Sequence, residues 1–191
     1  GETDRVSELY AERADWDRLL HLVAGNAALA DADLDAAQAA YRQNAKMNLS
    51  HSTHSRIGLA LVLAKEGRWG DAKKLWAQAN ESNYEIYDSS AWLMLRGEKD
   101  GAVGAAKEAA QLSDAAPGWA AGAVLWAEWA KAAGDEARVA AATKRAKEGT
   151  AGTLRHDPDN AFAIAMNARL ALVAGDTAAA RKGAERAIQL A

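Results

Sequence analysis

The sequence of 191 residues contains no cysteine. This absence excludes disulfide bonds, thiolate metal sites and cysteine nucleophiles, and it leaves the redox compartment open. Only two prolines occur, Pro117 and Pro158, and β-branched residues are sparse, whereas Ala, Leu, Glu, Lys and Arg dominate. Such a composition favours helices. No Asn-Gly or Asp-Gly pair lies between alternating apolar residues, so we expect an all-α chain without a sheet.

Long apolar runs and strong positive charge are also lacking. No stretch reaches the length of a membrane span, and no signal-peptide core precedes the first charged residues. The formal net charge of −3 conceals an acidic amino-terminal end, because residues 1–35 carry nine acids and three bases. The remaining 156 residues sum to +3. Neither part is basic enough to predict binding of nucleic acid.

Small residues recur at regular distances from five presumed loop residues, which are Ala32, Gly67, Gly97, Gly134 and Gly175. The steps between them are 35, 30, 37 and 41 residues. Each step has room for two helices and two short turns. The pattern therefore predicts about five repeated pairs of antiparallel helices.

The unit around Gly67 illustrates the pattern. Ala60 precedes this glycine by seven residues, and Ala72, Trp76 and Ala79 follow it by five, nine and twelve. A glycine can end the first helix in a left-handed conformation, after which the chain reverses. Small residues in both helices then permit a close approach, while a bulky one fills the wider end. Because each pair keeps one apolar face uncovered, we expect the pairs to stack into an array.

The segment from Leu59 to Ala72, LALVLAKEGRWGDA, with Trp76 and Ala79 after it, resembles a tetratricopeptide repeat. The last unit, which begins with the sequence DPDN at 157–160, is similar. The resemblance covers residues 18–191 in about five units. It implies a right-handed superhelical α-solenoid of about ten or eleven helices. It also implies a bacterial protein. We expect a soluble chain, with the compartment left open between cytoplasm and periplasm, and the two ends of the sequence suggest that a targeting segment was removed.

The expected organisation is a single domain over residues 1–191. Residues 1–17 are predicted to form one amino-terminal helix, and the repeats are placed at about 18–52, 53–82, 83–119, 120–160 and 161–191. The fourth unit is longer than the others, which predicts longer helices there.

His51 and His54, in the segment LSHSTHSR, raise the question of a metal site. Two histidines three residues apart can ligate zinc only if a third ligand converges on them. The nearest acids are Asp35 and Glu66, and the signature HExxH is absent. We therefore expect this segment to begin a helix through Ser or Thr capping, with no metal and no cofactor. The acidic cluster at 31–35 is likewise expected to cap a helix.

Seven tryptophans accompany a single phenylalanine. Trp69 and Trp76 fall on positions that define the repeat, so they are expected to pack. Trp92 and Trp129 lie one residue beside packing positions and are candidates for exposure in a groove, since aromatic side chains favour interfaces.

The resemblance implies that the first helix of each pair lines a concave groove for a peptide or protein segment. By their distance from each loop residue, the predicted lining residues are Leu22, Asn26, His54, Ile57, Leu61, Tyr84, Tyr87, Ala91, Val124, Glu128, Lys131, Phe162, Ala165 and Arg169. Asn26 and Arg169 are suited to hold backbone or carboxylate groups. The predicted function is a non-enzymatic adaptor or assembly module with a protein partner. The alternative is a head-to-tail homo-oligomer that joins the acidic amino-terminal end to the more basic remainder.

Overall fold

The computed structural model describes residues 18–46, 52–80, 86–116 and 118–191. Within these ranges the chain forms nine α-helices and no strand, which confirms the all-α class. The helices are α1 (Arg18–Ala30), α2 (Leu34–Lys46), α3 (Ser52–Lys65), α4 (Trp69–Asn80), α5 (Ile86–Ala115), α6 (Ala120–Ala132), α7 (Glu136–His156), α8 (Ala161–Val173) and α9 (Thr177–Leu190). The helix predicted over 1–17 lies outside the described residues. None of these nine helices is long and apolar enough to cross a membrane.

The chain divides into two compact units, residues 1–91 and 92–191. In the first unit α2 packs against α1, α3 packs against both of them, and α4 packs against α3. In the second unit α7 packs against α6, α8 packs against both, and α9 packs against α8. Because short turns join the partners of each pair, the pairs α1/α2, α3/α4, α6/α7 and α8/α9 are antiparallel. The predicted solenoid of helix pairs is thereby confirmed within each unit, and its superhelical path stays a prediction.

Four of the five presumed loop residues adopt the left-handed conformation. Their φ angles are +60° at Ala32, +79° at Gly67, +72° at Gly134 and +81° at Gly175. All four turns repeat one hydrogen-bond pattern, in which the residue after the left-handed one donates to a carbonyl five positions back. In the second turn, for example, the amide of Arg68 donates to the carbonyl of Leu63 at 2.8 Å. This bond satisfies a carbonyl that the helix end would leave unpaired.

The fifth presumed loop residue, Gly97, was placed wrongly. Gly97 lies inside α5, and the left-handed residue is Gly101, with φ +72° and ψ +177°, where a kink divides α5 into two helical segments. The shift of four residues is about one helical turn, so the alanines that follow occupy the same helix face under either assignment. Ala106 and Ala109 are both fully buried. With Gly101 as the turn, the first three spacings become 35, 34 and 33 residues, close to the period of about 34 typical of tetratricopeptide repeats.

The last spacing, 41 residues, reflects a longer second helix in the fourth pair. Helix α7 has 21 residues, whereas its partner α6 has 13. The predicted lengthening of this unit is confirmed for α7.

Carboxylate and amide side chains begin the helices that follow the turns. Asp33, Asp135 and Asp176 each accept a bond from the backbone amide three residues later, at 3.0, 3.0 and 2.9 Å. Asn160 caps α8 in the same way through Ala163, at 3.0 Å. The expectation that the acidic cluster at 31–35 caps a helix is confirmed for Asp33.

Ala32 is a non-glycine residue in the left-handed conformation, which predicts opposite effects for two substitutions. Ala32→Gly relieves a backbone strain of about 1–2 kcal/mol, of which roughly 0.4–1 kcal/mol is offset by the freer unfolded chain. Gly67→Ala introduces the same strain. We expect a small gain in the free energy of unfolding for Ala32→Gly and a loss of about 1 kcal/mol for Gly67→Ala. Urea titrations followed by circular dichroism measure both, and a loss for Ala32→Gly contradicts the strain at this turn.

Small residues permit close helix contacts, as the sequence predicted. A Cβ atom added at Gly149 of α7 would lie 2.9 Å from Cβ of Ala120, the first residue of α6. A Cβ added at Gly183 of α9 would lie at the same distance from Cβ of Ala168 of α8. Each crossing therefore excludes even one additional methyl group.

Candidate functional site

First helices lie beside first helices in both units. Helix α3 packs against α1, and α8 packs against α6. Helical periodicity places residues three, four and seven apart on one face of a helix. Leu22 and Asn26 therefore share a face of α1, Glu128 and Lys131 share a face of α6, and Phe162 and Arg169 share a face of α8. In each unit, we call this surface the first-helix face of that unit.

In the first unit, Asn26 is exposed and held by the hydroxyl group of Tyr41. The Oη atom of Tyr41 donates to Oδ1 of Asn26 at 2.7 Å. Tyr41 itself is fully buried between α1 and α3. The side chain of Leu22 is half-buried against the cluster of Ala37, Tyr41 and Val62. The buried Tyr41 thus orients the exposed amide group of Asn26. The sequence offered no signal for this hydrogen bond.

The three predicted residues of α3 differ in burial. His54 is half-buried. Ile57 and Leu61 are buried, so they pack in the interior rather than toward a partner. Their spacing from Gly67 agrees with the predicted side of α3, but their burial removes them from the surface that a partner could reach.

Of the predicted lining residues in the third unit, only Ala91 has a described side chain. Tyr84 lies outside the described residues. Tyr87 lies in α5, but its side chain is outside the described part of the structure. Both remain predictions, while Ala91, one turn further along α5, is half-buried.

In the second unit the structure brings Glu128 and Arg169 together across two helices. Nε of Arg169 donates to Oε1 of Glu128 at 2.7 Å, and Nη2 donates to Oε2 at 2.6 Å. Both side chains are about one third exposed. Arg169 was predicted to hold a carboxylate, and the carboxylate that it holds in this structure belongs to its own chain. Such a bidentate pair fixes the spacing of α6 and α8.

The other predicted residues of the second unit surround this pair. Lys131 is exposed, and its Nζ lies 2.9 Å from Oε1 of Glu136. Phe162 is 48% exposed, although it is the only phenylalanine of the chain. Ala165 is half-buried, whereas Val124 is fully buried. The first-helix face of this unit thus carries an exposed aromatic ring on the same helix side as a charged pair.

The structure also contains a surface that the sequence reasoning missed. An apolar groove of about 510 Å³ lies between α8 and α9, and Leu172 and Ile188 border it. These two side chains are 60% and 77% exposed. The sequence did contain a signal for this groove. Three residues before its turn, the pair α8/α9 has the apolar Leu172, whereas the pair α6/α7 has the charged Lys131.

The described residues contain no group of three His, Asp or Glu side chains that could hold a metal ion. Helix α3 begins at Ser52, in agreement with the prediction that LSHSTHSR starts a helix, while His51 lies outside the described residues. The pKa of Arg68 is raised above its ordinary value by a hydrogen bond to Asp71 and, to a smaller extent, by Glu66. Arg68 therefore stays positively charged beside these two carboxylates.

The described tryptophans are buried or half-buried. Trp76 is buried, as expected. Trp92, a candidate for exposure in a groove, is fully buried and donates from Nε1 to Oε1 of Glu108 at 3.2 Å. Trp129 is half-buried, and a Cβ atom added at Gly97 would lie 2.5 Å from its ring. The glycine mistaken for a turn therefore makes room for an aromatic ring.

No protein-family model matches the sequence. No curated protein matches it either. Among solved structures, the chain is similar to the crystal structure of YrrB, described as "a TPR protein with an unusual peptide-binding site". The two share 13% sequence identity, the similarity covers 97% of this chain and 91% of that one, and the TM-score is 0.44. The fold assignment therefore rests on the helix pairs and turns of this chain itself.

Proposed function

We propose that the chain is a non-enzymatic protein-interaction module. It binds a peptide or a segment of another protein on the first-helix face and serves an adaptor or assembly role. The observation that carries the proposal is the side-by-side packing of α6 and α8 with Phe162 exposed on the same helix side as Arg169. Aromatic residues and arginine are both enriched at protein interfaces.

The polar groups of this face suit a peptide. The amide group of Asn26, oriented by Tyr41, can bond to a peptide backbone. Arg169 is bound to Glu128 in this structure, and a carboxylate of the partner could replace Glu128 in that pair. Because Glu128 and Arg169 are about one third exposed, such an exchange requires no rearrangement of the core. Lys131 adds a second positive group on the same side of α6.

Selection of peptides from a random displayed library, followed by fluorescence anisotropy with the selected peptides, tests this proposal. We expect Phe162→Ala to weaken binding at least about tenfold, since truncation of a central aromatic anchor commonly has this effect. Asn26→Ala and Lys131→Ala are expected to have smaller effects. Val103→Ala is the matched control, because Val103 is also an exposed apolar side chain, at 63%, but follows the left-handed residue Gly101 and therefore does not lie on a first helix.

Circular dichroism confirms that each variant is folded before its affinity is compared. If the selected peptides bind Phe162→Ala, Asn26→Ala and Lys131→Ala as tightly as the unaltered chain, the first-helix face is not the binding surface.

A further inference from the structure

The ion pair between Glu128 and Arg169 joins corresponding positions of two neighbouring repeats. Each residue lies six positions before the left-handed turn residue of its own helix pair. In the first unit the same count gives Asn26 and Leu61. Helix α3 nevertheless packs against α1 there, so first helices lie side by side without an ion pair at this position. The charged pair is therefore a property of the second unit and not a requirement of the fold.

This pair lies at the edge of the packed interior. Ala127, next to Glu128, is fully buried, and Ala168 and Leu170, on either side of Arg169, are 8% and 3% exposed. The side chains of Glu128 and Arg169 are 31% and 34% exposed. Their neighbours are thus held in the interior, while the charged groups themselves remain open to solvent. A carboxylate from solvent can therefore reach Arg169 without opening the core.

Glu128 occupies one edge of the guanidinium group of Arg169. The two hydrogen bonds come from Nε and Nη2, which together form an edge that fits one carboxylate through two parallel bonds. A ligand carboxylate that binds this edge must displace Glu128. The chain itself thus fills a carboxylate site with its own side chain.

Lys131 offers a second partner to the displaced Glu128. It follows Glu128 by three residues on α6, so the two side chains are neighbours on the helix surface. In this structure Nζ of Lys131 pairs with Oε1 of Glu136, and these side chains are 49% and 72% exposed. Such an exposed pair is weak, so Lys131 can exchange Glu136 for Glu128. Glu136 is the first residue of α7, where the positive end of the helix dipole stabilises its charge after the exchange.

The charges of the two first helices favour an anionic ligand. Together α6 and α8 carry one acid, Glu128, and two bases, Lys131 and Arg169, so their charges sum to +1. A ligand of negative charge is attracted to this balance, whereas a cationic ligand competes with both bases for Glu128.

We propose that Glu128 is an internal competitor for Arg169 and thereby determines which peptides bind the first-helix face of the second unit. This role rests on the proposed function, since it concerns the same face. The partner segment carries an aspartate or a glutamate, whose carboxylate binds Nε and Nη2 of Arg169. Glu128 then pairs with Lys131, which acts as a positioning residue through Glu128. A peptide without a carboxylate leaves the internal pair intact.

The probes for the test are peptides that were selected from the random displayed library on the unaltered chain and whose binding Phe162→Ala weakens. Each is compared by fluorescence anisotropy with a version in which Asn or Gln replaces its Asp or Glu. We expect the carboxylate version to bind the unaltered chain several-fold more tightly. On Glu128→Gln this preference should rise by a further factor of about ten, the effect of a charged hydrogen bond without an internal competitor. Arg169→Gln should abolish the preference.

Lys131→Gln tests the exchange itself. We expect it to weaken binding of the carboxylate peptide several-fold on the unaltered chain, but to have little effect on Glu128→Gln, where no displaced charge needs a partner. A lysine that only attracts the peptide by its charge acts equally on both chains. Lys147→Gln is the matched control, because it removes the same charge from an exposed position of the second helix α7. Circular dichroism confirms that each variant is folded, and the exposed Lys131 provides a test that does not perturb the pair directly.

The inference is wrong if the selected peptides lack Asp and Glu, or if their preference for a carboxylate is the same on the unaltered chain and on Glu128→Gln. An equal effect of Lys131→Gln on both chains contradicts the exchange. In each of these cases the proposed function stands, because Phe162→Ala still weakens binding. If Phe162→Ala leaves the binding of every selected peptide unchanged, the proposed function fails, and this role of Glu128 fails with it.

Discussion

Tyr41→Ala is expected to lower the free energy of unfolding by about 3–5 kcal/mol, the usual cost of truncating a fully buried aromatic residue. The ring is fully buried and lies against both Gly25 of α1 and Gly58 of α3. Its removal leaves a cavity that two helices border. Because neither glycine has a side chain, neither can fill that cavity. Urea denaturation followed by circular dichroism measures the loss, and a change below about 1 kcal/mol contradicts this packing.

Tyr41→Phe is the control, because it keeps the ring and removes the hydroxyl group that donates to Asn26. A hydrogen bond of this kind contributes about 0.5–1.5 kcal/mol. The same variant has a functional consequence, since the amide of Asn26 loses the group that orients it. We expect Tyr41→Phe to weaken binding at the first-helix face in the first unit while the fold is retained.

Gly58→Ala is expected to destabilise the chain by about 1–3 kcal/mol, the range observed when a methyl group is forced into a packed core. Helix propensity acts in the opposite direction, since alanine is better than glycine by about 0.8–1 kcal/mol inside a helix. The steric effect prevails because the added Cβ atom would overlap the buried ring of Tyr41. The ring cannot move aside, as Gly25 confines its other side.

Gly152→Ala in α7 is the matched control, since a Cβ atom there has no neighbour within 4 Å. Only helix propensity then acts, and we expect Gly152→Ala to raise the free energy of unfolding by about 0.5–1 kcal/mol. If alanine lowers the free energy of unfolding at position 58 and raises it at position 152 in the same denaturation assay, Gly58 is in contact with Tyr41. If alanine raises the free energy of unfolding at both positions, this contact is contradicted. The loss caused by Gly58→Ala should shrink in a Tyr41→Leu background, because the smaller side chain gives room to the methyl group.

The turns could be predicted from the sequence because they depend on local chemistry. A residue that tolerates positive φ, followed by an aspartate or another polar residue, ends one helix and begins the next. The recurrence of small residues at fixed distances from such turns located Gly67, Gly134 and Gly175, and it added Ala32 although Ala32 is not a glycine. The rule failed between Gly97 and Gly101, where both candidates are glycines one helical turn apart and the alanines that follow fit either register.

The lining of the binding face could be predicted only in part. Distance from a turn identifies the side of a helix to which a residue belongs, and in the second unit it selected Glu128, Phe162 and Arg169 on the first-helix face. It does not show what covers that side. Ile57 and Leu61 satisfy the same spacing, yet neighbouring helices bury them.

The sequence by itself determined the helical class, most of the turns and the pairing of antiparallel helices, because propensity, capping and positive φ are properties of a few adjacent residues. Only the tertiary structure decided which side chains meet. Glu128 and Arg169 are 41 residues apart and form a bidentate pair because α8 packs against α6. The apolar groove beside Leu172 and Ile188 likewise forms because α9 packs against α8. Burial depends on the neighbour that a surface receives, and that neighbour is chosen by packing rather than by local sequence.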